Sequence, residues 1–274
     1  LYYTMKLVRG KNLSELLNRQ DYLFRTPAEL YELLQVFLKV CDAVSFAHSR
    51  GVLHRDLKPE NIMVGEYGEV YLMDWGIARL MHSEAMPNAG SGEQRVYPWE
   101  EEQEGRVVGS PGYMSPEQAL GKVHDLDERS DIFSLGAVLY GILTHQMPFV
   151  GRSVRETLEK TVKGEARWPH EVLDVGLPQE LCRITMKAIS RKPADRYPSV
   201  AELREDVERF LQCGWQFLSR VHAPGDVIIS EGDAGDEAYV ITEGRCRVTK
   251  QQHGVEEMLA DLGPGDVFGE TAVL

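Results

Sequence analysis

Residues 54–61 read HRDLKPEN, and the reading of that stretch decides how the rest of the chain folds. Asp56 and Asn61 stand five positions apart with Lys58 between them, so a carboxylate, an ammonium and an amide are confined to one short segment. Upstream, TPAELYELLQVFLKVCDAVSFAHSRG (26–51) repeats apolar residues at Leu30, Leu33, Leu34, Phe37, Leu38 and Cys41, the spacing of one helix face. Thr26 reads as its N-cap, Pro27 as its first helical residue, Glu29 as the far end of a capping box and Gly51 as its stop. Downstream, NIMV (61–64) and EVYLMDW (69–75) flank the turn GEYG (65–68), a pattern of two short strands. The polar octet is therefore a loop between an apolar helix and a strand pair. The second strand delivers Asp74, and Gly76 lets the chain turn away.

These residue types suit phosphoryl transfer, which needs an acceptor held in line and the phosphate charge offset. A carboxylate such as Asp56 can orient an acceptor hydroxyl and take its proton. Lys58 can offset charge on the phosphoryl group. The amide oxygen of Asn61 and the carboxylate of Asp74 can hold Mg²⁺, a hard cation that takes oxygen ligands.

The octet fills every fixed position of the protein-kinase catalytic loop H-R-D-L-x-x-x-N, which it resembles. Further motifs of that family follow in order. DWG (74–76) stands for D-F-G, GSPGYMSPE (109–117) resembles the loop ending in A-P-E, SDIFSLG (130–136) resembles the central helix, and ADRYPS (194–199) resembles the arginine-bearing turn before the last helix. The resemblance covers residues 1 to about 212. It implies Asp56 as catalytic base, Lys58 on the γ-phosphate, and Asn61 and Asp74 as Mg²⁺ ligands. It implies Arg55 as the partner of a phosphorylated activation loop, a buried Glu117–Arg196 ion pair, Asp131 as a brace under the catalytic loop, and Ser110 touching Asp56 and Lys58. The opening YYTMKLVRG (2–10) resembles the hinge, which makes Met5 the gatekeeper, sets the backbone of Lys6 to Val8 against adenine and puts Met63 on the pocket floor. Lys58 and the GSPGYMSPE loop resemble those of Ser/Thr kinases, and the DWG variant resembles bacterial members, with Trp75 serving as a large apolar anchor in place of Phe. No Gly-rich phosphate loop, β3 lysine or αC glutamate is present. Their expected place is before Leu1, so the chain reads as a hinge and C-lobe fragment, cut at both ends, with activity expected of the intact parent.

Further helical patterns follow in SDIFSLGAVLYGILT, SVRETLEKTVKG, LPQELCRITMKAIS and PSVAELREDVERFLQ, the last with a Ser199/Glu202 capping box. The first is apolar nearly all round and reads as the central helix. The segment Leu80–Gly109 has no period and reads as a long loop with Ser83 and Ser91 as candidate phosphoacceptors. After Gly214 the texture becomes short β-rich runs between Gly-Asp turns. APGDVIISEGDAGDEAYVITEGRCRV and LGPGDVFGETAVL resemble a cyclic nucleotide-binding domain. The resemblance implies that Gly269 permits close backbone approach, that Glu270 accepts from a ribose hydroxyl and that amides near Ala272 face the cyclic phosphate of cAMP or cGMP. The expected fold is α+β: a mainly helical kinase lobe over 1–212, then a partial all-β roll over 217–274.

The composition fits this reading. Net charge is −13, which disfavours wrapping nucleic acid or an anionic membrane. The longest apolar run, 132–143, is too short to span a bilayer. Cys41, Cys182, Cys213 and Cys246 are scattered without zinc spacing and read as buried free thiols of a cytoplasmic protein. The leading expectation is an ATP- and Mg²⁺-dependent Ser/Thr kinase acting on protein substrates under cyclic-nucleotide control. The alternative is a pseudokinase scaffold whose nucleotide sensor recruits partners.

Overall fold

The structure is a computed structural model that describes residues 8–18, 27–81, 104–173, 177–213, 220–230, 239–241, 243–252, 255–264 and 266–269. The chain divides into two compact units, Leu1–Trp215 and Gln216–Leu274.

The first unit runs β1 (Lys11–Asn12), α1 (Leu13–Leu17), α2 (Pro27–Ser49), β2 (Val52–Leu53), β3 (Ile62–Val64), β4 (Val70–Leu72), β5 (Arg79–Leu80), α3 (Pro116–Ala119), α4 (Glu128–Thr144), α5 (Val154–Lys163), α6 (Pro169–Val172), α7 (Gln179–Ala188) and α8 (Val200–Cys213). Its centre is α4, on which every residue from Ser130 to Thr144 is buried, so a helix without a polar face is surrounded by others. It packs against α2, α7 and α8. Leu34, Phe37 and Cys41 of α2, Leu135, Leu139 and Ile142 of α4, Ile184 of α7 and Leu203 of α8 share one apolar cluster. Truncating any of the leucines to alanine costs about 2–5 kcal/mol. The α4–α7 contact is close because Gly136 has no side chain: a Cβ there would lie 2.6 Å from the Ala188 Cβ.

Local signals set the helix ends. Gly51, at φ +71°, donates its amide to the His48 carbonyl and turns the chain out of α2. Ser153 accepts from the Glu156 amide at the start of α5, and Ser199 from the Glu202 amide at the start of α8.

Two small antiparallel sheets flank the helices, ordered β1-β3-β4 and β2-β5. Met63 lies opposite Asn12 on one side and Tyr71 on the other. The 65–68 turn is tied down by Lys39 of α2, whose Nζ donates to the Gly68 carbonyl at 2.6 Å. Leu80, expected to open an irregular loop, instead ends β5 and pairs with Val52. A two-residue strand has no period to read, and only its partner reveals it. Residues 82–103, with Ser83 and Ser91, lie outside the described residues.

The second unit contains β6 (Tyr239–Val240), β7 (Cys246–Gln252), β8 (Val255–Leu262) and β9 (Val267–Phe268). They form two antiparallel pairs, β6-β9 and β7-β8, the latter with a register shift between Val248 and Thr249. The Pro-Gly-Asp stretches fold twice into the same reciprocal turn. Asp226 accepts the Ala223 amide on Oδ2 at 2.8 Å and returns its own amide to the Ala223 carbonyl, and Asp266 does the same with Gly263.

Cys41 and Cys182 are buried free thiols, as expected, but Cys246 is only half-buried. It starts β7 and pairs with Leu262 of β8. The side chain of Cys213 is outside the described set. Among the described residues no helix is long and apolar enough to cross a membrane.

Candidate active site

The 54–61 loop is held from below by α4. Asp131, fully buried, accepts the Arg55 amide on Oδ1 and the His54 amide on Oδ2, each at 2.8 Å. His48 Nε2 donates to the same Oδ2 at 2.8 Å. Burial opposes charge on Asp131, but the hydrogen bonds from His48 and the two amides outweigh it and hold the carboxyl below its ordinary range. From the other side, Gln118 of α3 donates to the Arg55 carbonyl at 2.8 Å. Both backbone groups of Arg55 are thus fixed, and this holds its left-handed φ of +70°, unusual for a residue with a side chain.

His54 joins the loop to the strand pair. Its Nδ1 accepts the Asp56 amide at 3.3 Å and its Nε2 donates to the Met73 carbonyl at 3.0 Å. Burial lowers its pKa, so the ring is neutral and can play both parts. The Met73 amide in turn donates to the Asn61 carbonyl at 2.8 Å. The residue before Asp74 therefore has both its peptide groups held by the octet. This ties Met73, the residue before Asp74, to the octet although the two segments are separate in sequence.

At the centre Asp56, Lys58 and Ser110 close a triangle. Lys58 Nζ donates to Asp56 Oδ2 at 2.8 Å and to Ser110 Oγ at 2.7 Å, and Ser110 Oγ donates to Asp56 Oδ1 at 2.7 Å. Partial burial raises the Asp56 pKa, but the bonds from Lys58, Ser110 and Asn61 together lower it, and the carboxylate is ionised at neutral pH. The Asn61 amide nitrogen donates to the Asp56 carbonyl at 2.8 Å and to its Oδ2 at 3.2 Å. That fixes the amide and leaves its oxygen as an acceptor. Asp74, at φ +59°, accepts the Gly76 amide on Oδ1 at 3.3 Å and is exposed. One amide oxygen and one carboxylate fit Mg²⁺, which draws its other ligands from water and phosphate oxygens. Among the described residues no three His, Cys, Asp or Glu side chains form a metal cluster.

Trp75, read as a large apolar anchor, packs on His54 at the surface. It is 39 % exposed, with its ring 4.5 Å from that of His54 and its Nε1 donating to the Leu72 carbonyl at 3.1 Å. An indole N–H needs an acceptor, and this one is found at the surface of the strand pair. Glu117 and Arg196 pair while buried, through bonds of 2.7 and 2.9 Å, and Ser130 adds a third to Glu117. These bonds outweigh the effect of burial and lower the Glu117 pKa. Met63 and Val8 are half-buried, while Met5 and Lys6 lie outside the described residues. In the second unit Gly269 takes φ +88°, a conformation that suits glycine, and Glu270 and Ala272 are outside the described set. His48, which holds Asp131, belongs to no motif that the sequence displays, and Gln118, which holds Arg55, is marked only as the far end of the Ser115–Gln118 capping box that starts α3. Gly105 and Gly121 meet main chain to main chain, the Gly105 amide donating to the Gly121 carbonyl at 2.9 Å.

A helical lobe thus carries a loop-borne acid and lysine, with an amide bonded to the acid and a second acid at the end of a strand pair. The chain belongs to the protein kinase family: the model of the protein kinase domain matches residues 1–207. The model of the cyclic nucleotide-binding domain matches residues 219–274. Curated relatives include serine/threonine-protein kinase PknD of Protochlamydia amoebophila, 37% identical over 228 residues, covering 77% of this chain and 22% of that protein. The PknD of Chlamydia trachomatis serovar D is 36% identical over 227 residues, with 77% and 24% covered. That of Chlamydia abortus is 32% identical over 238 residues, with 81% and 24% covered. The chain thus spans about a quarter of the length of these relatives.

Proposed function

We propose that the full-length protein is a Ser/Thr protein kinase that transfers the γ-phosphoryl group of ATP to protein hydroxyls, under control in cis of a cyclic nucleotide, cAMP or cGMP. The observation that carries this reading is the closed Asp56–Lys58–Ser110 triangle with Asn61 bonded to it and Met73, the residue before Asp74, tied to the same loop. Mg²⁺-ATP, when bound, supplies the phosphoryl group and a metal that neutralises its charge. Asp56, already ionised, would hold the acceptor hydroxyl in line and take its proton as the new oxygen–phosphorus bond forms and the bond from the γ-phosphorus to the bridging oxygen breaks, with ADP leaving. Lys58 keeps its ammonium beside Asp56 and offsets charge on the transferred group. Asn61 and Asp74 hold the metal. Ser110 fixes the rotamers of the acid and the lysine at once. Arg55 is the partner for a phosphorylated activation loop, and Met5, Lys6, Val8 and Met63 line the adenine site. Gly269, Glu270 and Ala272 are the residues assigned to the cyclic nucleotide.

The test is phosphate transfer to a serine-containing protein substrate by full-length Asp56→Ala and Asp74→Ala. Each should lose about 10²–10⁴ in kcat, with melting temperatures close to wild type. Wild-type turnover in either variant overturns the assignment.

A further inference from the structure

Among the described residues three other than glycine hold a left-handed backbone: Arg55 at φ +70°, Asp74 at φ +59° and His145 at φ +58°. The first two stand in the site, where backbone strain of this kind is commonly kept for function. His145 stands outside it. It caps the C-terminal end of α4, a position that glycine or asparagine fills at less cost. Its ring accounts for the choice. Nδ1 donates to the Leu17 carbonyl at 2.7 Å, across 128 positions of sequence. Leu17 is the last residue of α1, so its carbonyl is one that the helix cannot satisfy by itself. The bond fastens the end of α1 to the end of the buried central helix. At its other end α1 is continuous with β1. Asn12 caps it, accepting the Glu15 amide at 2.8 Å, and lies opposite Met63 in the β1-β3 pair. Gly10, just before, approaches β3 so closely that a Cβ there would lie 2.2 Å from the Val64 carbonyl oxygen. Leu13, fully buried, shares an apolar cluster with Leu57 and Ile62, the neighbours of Asp56 and Asn61.

We propose that His145 is a positioning residue for nucleotide binding: its Nδ1–H holds the far end of α1, and α1 in turn sets the β1 edge beside Met63 and the chain that leads back to Val8. Those two are the described residues assigned to the adenine site. With the bond gone, α1 is free to pivot about its Asn12 cap, and the edge moves with it. The consequence falls on binding rather than on transfer, because the hydrogen bonds that close the Asp56–Lys58–Ser110 triangle do not pass through α1. A residue that served only as a helix cap would be improved by glycine. The strain at His145 is offset by what its side chain reaches. The inference rests on the kinase reading above for what is bound, but not for its geometry.

The test compares two variants of the full-length protein. His145→Gly relieves the backbone and removes the donor. It should weaken the binding of Mg²⁺-ATP, measured by calorimetry, about 3–10-fold, the scale of one hydrogen bond, while kcat at saturating ATP stays within about twofold of wild type. His145→Asn tolerates the left-handed backbone and carries its amide nitrogen as many bonds from the main chain as Nδ1. It should bind Mg²⁺-ATP within about twofold of wild type. A glycine variant that binds as tightly as wild type overturns the proposal. So does an asparagine variant as weak as the glycine one, because the ring rather than the donor would then matter, or a loss in kcat with binding unchanged. Should the glycine variant fail to fold, His145→Asp takes its place, with the shape of asparagine and no donor, and is judged by the same limits. A second readout needs no nucleotide. In the ¹⁵N-labelled protein at neutral pH, the His145 ring should show a proton on Nδ1. An unprotonated Nδ1 overturns the geometry. If the wild-type protein binds no Mg²⁺-ATP, the kinase reading fails, and this measurement still judges the tie from His145 to Leu17.

Discussion

Removing Arg196 should unfold the kinase unit at a temperature well below that of wild type, and the contacts of this residue say by how much. An arginine has five N–H donors. Here Nε donates to the Ser190 carbonyl at 2.8 Å, one terminal nitrogen to Glu117 and to the Arg129 carbonyl, and the other to Glu117 and to the Arg191 carbonyl. All five are used, and the guanidinium also lies 4.9 Å from the centre of the Phe133 ring. Arg196→Met keeps the aliphatic volume but leaves Glu117 as a buried charge with Ser130 as its remaining side-chain donor. Breaking such a pair from one side costs about 3–5 kcal/mol. At roughly 2–4 °C per kcal/mol for a domain of about 200 residues, the transition should fall by about 6–20 °C. Glu117→Gln should cost less, since the amide keeps the shape and one acceptor. The assay is thermal unfolding of the full-length variants, following the transition assigned to the kinase unit. The cycle through the double variant should give a coupling of at least about 2 kcal/mol. The pH dependence has a definite sign. Because the Glu117 carboxyl is held below its ordinary value in the folded protein, the contribution of the pair is complete above about pH 4.5 and is lost as pH falls through the lowered folded value. A drop under 2 °C for Arg196→Met at pH 7, or a coupling below about 0.5 kcal/mol, refutes the reasoning.

Ser110→Ala removes one donor from Asp56 and one acceptor from Lys58, so kcat should fall about tenfold. It also removes one of the bonds that lower the Asp56 pKa, so the acidic limb of the kcat profile should move to higher pH; an unmoved limb contradicts the triangle. Gly136→Val drives a branched side chain into Ala188 and Ile189, and overpacking of that kind should cost about 1–3 kcal/mol or more in urea titrations. A variant as stable as wild type would show that α4 and α7 are not in close contact. Saturating cAMP or cGMP at 100 times its Kd should stabilise the nucleotide-binding part of the full-length protein by about 2.7 kcal/mol. No shift in its unfolding transition with either compound would reduce that part to a structural module.

The parts of this molecule that can be read from its sequence are those in which local pattern and chemistry coincide. The HRDLKPEN octet carries its charges between an apolar helix and an apolar strand, and α4 is apolar on all sides. Either feature is visible without knowing what packs on it. Strand β5 cannot be read, since two residues have no period and Arg79–Leu80 is a strand only because Val52–Leu53 lies alongside. Nor can the tie from His48 or from Gln118 be read: His48 looks like an ordinary polar residue of a helix, S-P-E-Q marks Gln118 only as a capping-box residue, and their partners lie 83 and 63 positions away. Trp75 reads as a large apolar anchor, but its exposure does not follow from its letter: the indole N–H finds its acceptor on the Leu72 carbonyl while the ring leans on His54. Cys246 differs from its reading for a related reason: burial depends on what covers a strand, which the strand's own letters do not state.

The surface position of Trp75 gives the molecule a built-in optical reporter. Its indole leans on His54 and follows directly on Asp74, so the emission of this one ring should change when a cation or a nucleotide arrives at the neighbouring carboxylate. The chain has four tryptophans, and replacing Trp99, Trp168 and Trp215 by phenylalanine would leave a single native indole next to Asp74. Occupancy could then be followed in real time, without a label and before any phosphate moves.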